Sequence, residues 1–302
     1  MYYVVYGFLY LLSLLPLRVL HLLSDFFYVI IYHLAGYRKK VVLQNLAIAF
    51  PQKTEAERKA IAGRFYRNFC DTFIEMIKLL SASNGFINRH FVFDKKVFDE
   101  LYAKGKRCQI HLGHNFNWEV GNLAVALNIP HTFLGVYAPL GNKVFDRLIR
   151  KLRSRTGSVL LPATEMRTAL MPWRNQLYAL GLIADQNPSN PSKAFWVPFF
   201  GKPTAFFSGP ENGARLADIP VVFCYFTKVK RGYYKGDFFL AEEHPAALPK
   251  GVLTYRYIQF LERVISESPD MWLWSHRRWK HEWRPEYGMV GENGLVKERV
   301  KG

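Results

Sequence analysis

The chain is poor in cysteine and in acid. Its 302 residues hold three cysteines, Cys70, Cys108 and Cys224. An odd number, widely separated, makes neither a disulfide framework nor a zinc ribbon, and suits a reducing compartment. Asp and Glu number 24 against 41 Lys and Arg, a net charge of +17. So large a surplus calls for an anionic partner: nucleic acid, an anionic membrane or an acidic protein. GxGxxG, GxxxxGK[ST] and GxSxG are all missing, as are HExxH and CxxC. Dinucleotide binding, a P-loop, a serine-hydrolase elbow and the common zinc sites therefore have no local support. No internal repeat is present. Half the residues are hydrophobic, which excludes general disorder and allows a large core.

What is abundant at the start is apolar surface. One run extends from Tyr2 to Leu15; after Pro16 a second reaches Ala35, with Arg18, His21 and Asp25 set into it. No charge precedes the first run, unlike a signal peptide, and Arg38, Lys39 and Lys40 follow the second. We expect a membrane anchor over residues 1–40 with its basic flank in the cytoplasm. A buried hairpin of core helices is the alternative. The domain reading continues with a catalytic domain over 41–285 and a flexible tail over 286–302.

Thr54 and Glu57 have capping-box spacing, and Ile61, Phe65, Phe69, Phe73, Met76, Ile77 and Leu80 follow at helical intervals, predicting a helix over 55–80. From Arg107 strands and helices alternate. RCQIHLG, HTFLGVYAP, SVLLP, LYALGLIAD, PVVFCYFTKV, FFLAEE and MWLWS read as strands. Helices are expected at 118–127, 143–153, 165–173, 210–217 and 255–266. The fold class this predicts is α/β, with a mixed, partly parallel sheet flanked by helices and an N-terminal hydrophobic membrane-anchoring helix.

The stretch HLGHNFNWEVGN, 111–122, is the one most suited to chemistry. His114 follows an apolar strand, where ligands bind in open α/β sheets. A neutral imidazole can accept a hydroxyl proton near pH 7, and a carboxylate such as Glu119 can hold its other nitrogen. Gly113 allows close backbone approach, and amides at the following helix start could receive an oxyanion. Spacing alone leaves alternatives open: a histidine satisfied by backbone beside a surface glutamate, or a metal site from Cys108, His111 and His114, whose side chains would not share one face.

HNFNWE, residues 114–119, resembles the H-x4-D/E motif of the glycerolipid acyltransferase superfamily, in the H-x-x-N-W-E form of the bacterial lipid A biosynthesis (late, HtrB-like) acyltransferases. The resemblance covers most of the chain. NLAIAFP at 45–51 resembles the NL-x-x-x-FP block, and the acidic-aromatic helix carrying Glu75 follows. NKVFDRLIRKLRSRTG at 142–157 resembles the segment ending in a family arginine. LIADQNP at 182–188 resembles the block around a family aspartate. WVPFFGKPTAFFSGPENGARLADIPVV at 196–222 and WLWSHRRWK at 272–280 resemble two further blocks. The sequence departs in NPSNPSK, which offers only Lys193 as a basic residue after Asp185-Gln186.

The resemblance implies acyl transfer from a thioester, on acyl carrier protein or CoA, to a hydroxyl of a lipid A precursor at the bacterial inner membrane. It implies no cofactor, no metal and no nucleic acid. His114 would be the base and Glu119 its orienting partner. Arg153 and Arg155 compete as the phosphate-holding arginine, and Asp185 and Asn117 join them as substrate-binding candidates. His276, Arg277 and Arg278 are either structural or turned to anionic head groups. The cluster Phe195, Trp196, Phe199, Phe200, Phe206 and Phe207 is mainly core, with one or two members available to line an acyl tunnel. Anionic membrane lipids, a lipid acceptor and an acidic acyl carrier protein would meet the positive surface. Other acceptors, an amino-acid lipid or a glycolipid, fit the same chemistry. A nucleic-acid binder would account for the charge but not for the apolar N-terminus, and a membrane scaffold for the anchor and charge only.

Overall fold

A computed structural model of the chain describes residues 1–296. The N-terminal apolar runs form α1 (Tyr2–Ser13) and α2 (Leu17–Tyr28), broken at Pro16, and α2 continues as a π-helix over Val29–Leu34. Then come α3 (Lys39–Ala49), α4 (Glu55–Lys78), α5 (Asn84–His90), β1 (Phe91–Phe93) and α6 (Lys96–Ala103). The alternating region gives β2 (Cys108–Leu112), α7 (Trp118–Asn128), β3 (Thr132–Tyr137), α8 (Lys143–Arg153), β4 (Val159–Pro162), α9 (Met166–Leu170) and β5 (Tyr178–Ile183). A hairpin of β6 (Phe195–Phe199) and β7 (Lys202–Phe206), α10 (Gly209–Leu216), β8 (Val221–Lys230), β9 (Tyr233–Glu242), α11 (Val252–Glu267) and a last hairpin, β10 (Met289–Gly291) with β11 (Gly294–Val296), complete it.

Seven strands make one sheet in the order β1-β9-β8-β2-β5-β3-β4. The five from β8 to β4 are mutually parallel; β9 runs against β8 and β1 runs with β9. The mixed, partly parallel sheet expected from the alternation is what forms. β2 is central: the chain leaves it for β3, β4 and β5 on one side, then crosses to β8 on the other. Its residues 108–111 are buried, as a strand covered on both faces requires. The capping box also forms, with the Thr54 amide donating to Glu57 at 2.7 Å at the start of α4.

Three expectations change. The helix over 165–173 is split, with single 3-10 turns on either side of the five-residue α9, where Pro172 interrupts the ladder. MWLWS is no strand: a 3-10 turn over Pro269–Met271 leads into a segment that crosses the ends of the sheet and makes one bridge, Trp272 to Asn115. The start of the supposed tail is ordered, since β10 and β11 pair and Val290 is fully buried against Gly251, whose φ of +95° and lack of Cβ permit the contact. The rest of that tail, 297–302, lies outside the described residues. The aromatic cluster is core: Phe195, Trp196, Phe199 and Phe206 are buried, while Phe207 is exposed.

The N-terminal helices do not stand free. Lys78 on α4 donates to the carbonyls of Ser13 and Leu15 at 2.9 and 3.0 Å, closing the α1–α2 turn. On α2, Ser24 donates to the buried Asp71 at 2.7 Å and the His21 ring meets Glu75 at 3.0 Å. Arg231, in the β8–β9 turn, donates to Asp71 and Asp25 and to the His21 carbonyl. Lys228 completes the ring around Asp71 at 3.1 Å. Burial alone would raise the Asp71 pKa; Arg231, Lys228 and Ser24 outweigh it and hold it below the usual carboxylate value.

Removing the carboxylate would leave two cations facing a desolvated gap. Asp71→Ala is therefore expected to lower stability by about 3 kcal/mol or more, read as an earlier midpoint in denaturant unfolding.

Candidate active site

The centre is built where β2 and β5 end side by side. Their register pairs Leu112 with Ile183. Two residues further along each chain stand His114 and Asp185, and the Ala184 amide bonded to the Leu112 carbonyl at 3.3 Å carries the ladder up to them. Asp185 accepts from His114 twice, through Nδ1 of the ring and through the backbone amide at 2.8 Å. Trp272 donates its indole N–H to the same carboxylate at 2.7 Å. Asp185 is buried and the imidazole is 17% exposed. Burial by itself would raise the carboxyl pKa; His114 and the three bonds outweigh it and hold it at about 2. A carboxylate only accepts, so it fixes the proton on Nδ1 and leaves Nε2 as the basic atom. The Gln186 amide lies 3.2 Å from Nε2.

Gly113 is required there: a Cβ would lie 2.6 Å from Leu261 and 3.2 Å from the Asp185 carboxylate. The following residues are pinned from the C-terminal side, with the Phe116 amide donating to the Met271 carbonyl at 2.9 Å.

Glu119 does not touch this pair, which corrects the expected His114–Glu119 couple. It sits in the first turn of α7 and faces α8, where Arg153 donates to it from Nε at 2.9 Å and from Nη2 at 2.5 Å. Trp118 adds its indole N–H to Glu119 at 3.0 Å. On the surface of a helix, five residues is more than one turn, so His114, still outside the helix, and Glu119 point to different neighbours. Burial would lower the Arg153 pKa, but the Glu119 charge outweighs it and the pKa is raised.

The two arginines reach different partners. Arg155 donates to the backbone carbonyls of Leu79 and Ala82 and ties the end of α4 to α8; Arg153 stays with the site. Asn117 is fully buried. It caps α7 by accepting from Glu119 and Val120 amides at 3.1 and 3.4 Å and donates to Glu75 at 3.1 Å, so it serves the fold, and those amides are not open to an oxyanion. His111 is buried inside β2, where desolvation pushes its pKa down to about 3 and keeps it neutral.

Past Leu112 and Ile183, the last residues of the two strands, lies a narrow apolar cavity of about 70 Å³. It runs between α7 and the sheet, lined by Trp118, Val125, Phe133, Phe226 and Arg153 among others, and not by the aromatic cluster of β6 and β7. Gly121, Gly135 and Gly181 also face it. Trp118 joins cavity to imidazole, its ring edge-on to His114 with centroids 5.4 Å apart.

Residues 1–281 match the family of bacterial lipid A biosynthesis acyltransferases. The chain belongs to that family. It is similar to the lipid A biosynthesis palmitoleoyltransferase of Escherichia coli K12 and to a lipid A biosynthesis acyltransferase of Shigella flexneri. Identity to each is 23% over 268 residues, covering 85% of this chain and 82% of the relative. The chain is accordingly an acyltransferase.

In this acyltransferase the separated sequence blocks meet around one loop. Asn45, from the NLAIAFP block, donates to the carbonyls of Trp274 and His276 at 2.8 and 2.7 Å. Arg278, fully buried, donates to Asn187 at 2.5 Å and to the Ala205 carbonyl at 2.7 Å, and stacks 3.9 Å over the Phe206 ring. Burial pushes its pKa down to about 9. Arg278 is thus structural, whereas Arg277 is exposed. Trp272 and Asn45 were missed as contributors because each acts through a loop whose position only the tertiary fold reveals; for Arg278 the structural alternative is the one that forms.

A carboxyl held at about 2, against an ordinary value near 4, contributes stability that is whole above pH 4 and lost as the pH falls toward 2. Acid titration of unfolding is expected to show a loss of about 2 kcal/mol over that window, absent in Asp185→Asn. The Glu119–Arg153 pair is expected to show a coupling of up to about 3 kcal/mol in a Glu119→Gln, Arg153→Gln double-mutant cycle of stability.

Proposed function

We propose that the chain transfers a fatty acyl group from a thioester to a hydroxyl of a lipid A precursor, with His114 as general base. The observation that carries this is the imidazole fixed by Asp185, edge-on to Trp118, whose ring also lines the apolar cavity. Nε2 removes the proton as the acceptor oxygen attacks the thioester carbonyl carbon. The tetrahedral adduct then collapses, the C–S bond breaks and the proton passes to the departing thiolate. Asp185 keeps the ring oriented and balances the imidazolium. Glu119 acts one step away, by setting Arg153 at the cavity wall, where the guanidinium can receive the donor's carbonyl or phosphate. The acyl chain occupies the cavity, and an acyl carrier protein or CoA presents it.

We further propose that the protein lies on the inner membrane instead of crossing it. The helical run Leu17–Leu34 has the length and composition of a span. Its polar face is bonded to Asp71, Glu75 and Arg231, and a crossing would break those bonds or carry the charges into hydrocarbon, at several kcal/mol. The opposite face, with Leu22, Phe26 and Leu34, and Tyr3, Val4 and Phe8 of α1, is exposed. That amphipathic surface fits one leaflet.

Purified protein incubated with an acyl thioester and a lipid A precursor should yield a product heavier by one acyl group. His114→Ala, still folded, should be slower by about 10²–10⁴-fold. Product only on a different lysolipid would reject the acceptor, and an undiminished His114→Ala would reject the base.

Chain length should follow the cavity. At Gly135 a Cβ meets only ordinary contacts, at 3.4 Å from Asn122 and Leu160, so Gly135→Val is expected to fold while narrowing the space. In competition assays between thioesters it should shift preference to shorter chains, by about tenfold for each pair of methylenes excluded.

A further inference from the structure

An open groove of about 910 Å³ lies between the first turns of α3 and the loop that follows Trp274. Arg38, Lys39, Lys40, Arg277 and Lys280 line it, and among the described residues no carboxylate does. Arg38 is held with φ of +52°, a conformation unusual for a residue with a side chain, and donates to the Ser275 carbonyl at 3.0 Å, joining the two walls. With Arg38 bonded to Ser275 and Lys39 placed over Tyr32, five cationic residues on one concavity still lower the energy of any anion that enters.

Two neighbours define that anion. The first is apolar surface: the exposed Leu34 and Tyr37 lead directly into the groove, and Lys39 stands 4.1 Å over the Tyr32 ring. The second is the imidazole. Asn187, two residues beyond Asp185, donates to the Arg277 carbonyl at 2.5 Å and accepts from Arg278, so the groove loop is braced against the strand end that carries the base. The acyl cavity lies on the Trp118 side of His114, with lining residues that the groove does not share.

We infer that this groove binds the phosphomonoester head group of the lipid acceptor, leaving its chains against the apolar N-terminal face and bringing its hydroxyl to His114 from the side opposite the donor. The inference rests on the proposed reading of the acceptor as a lipid and adds the charged group by which it is held. An acidic carrier protein would be the other anionic visitor, but a convex protein surface fits a recess bordered by exposed apolar helices less well than a lipid does.

Lys40, Arg277 and Lys280 are exposed, so the triple change Lys40→Gln, Arg277→Gln, Lys280→Gln should fold. Calorimetry on the full-length protein in detergent, with dihexanoyl phosphatidic acid as probe and dihexanoyl phosphatidylcholine as control, tests the site without requiring turnover. Wild type should prefer the phosphomonoester at least tenfold, and the triple variant should lose that preference. Equal binding of the two lipids by wild type, or an unchanged preference in the variant, overturns the inference. In turnover, the variant should raise KM for a phosphorylated acceptor at least tenfold and leave KM for the thioester unchanged; a rise only for a carrier-protein-linked donor would instead make the groove a carrier dock. A preference in calorimetry with no acyl transfer by wild type would fail the proposed activity and keep the phosphate site.

Discussion

The contact between His114 Nδ1 and Asp185 organises the rest of the molecule. It joins the ends of two parallel strands that lie 71 residues apart in the chain. A buried carboxylate is tolerable only when it is hydrogen-bonded and its charge is balanced. Ring, backbone amide and indole give Asp185 three donors, with both oxygens engaged. Trp272 must therefore be delivered to the site, which is why the segment from Pro269 onward crosses the strand ends instead of joining the sheet. Asn45 and Arg278 hold that segment in turn.

A second ion pair, Glu119 with Arg153, stands beside the first without touching it. The two carboxylates divide the labour: one fixes the imidazole, the other fixes a cation at the wall of the apolar cavity. Both lie at the same end of the sheet because α7 starts, and α8 ends, close to the exit of β2. Polar groups thus line the mouth of the cavity, while glycines and aromatic rings shape its interior.

Much of this was legible in the residues. Alternating apolar runs fix the α/β class, and the boundaries of α8 and the capping box of α4 follow from local chemistry. His114 was identifiable as a polar residue past an apolar strand, and the resemblance implied Glu119, Asp185 and either Arg153 or Arg155 as site residues. Their pairing was not legible. Sequence proximity favoured Glu119 for His114, but β2 lies beside β5 and not beside its nearest successor β3, so the residue closest in space is Asp185. Arg153 and Arg155 differ by two positions, which on a helix end turns them toward different walls. An acyl tunnel was sought among clustered phenylalanines; the apolar cavity lies instead where Gly121, Gly135 and Gly181 let neighbouring rings and side chains approach the sheet and α7, a packing that hydrophobicity patterns cannot register.

The docking of α2 through Arg231 has a geometric corollary. Arg231 occupies the tight turn of the β8–β9 hairpin, and β8 is hydrogen-bonded to β2. The apolar helices and the imidazole are therefore parts of one stiff frame. On a lipid leaflet such a frame would hold the base at a constant altitude above the acyl chains, and acceptors would be sorted by how far their hydroxyl rises from the hydrocarbon as much as by the identity of their sugar.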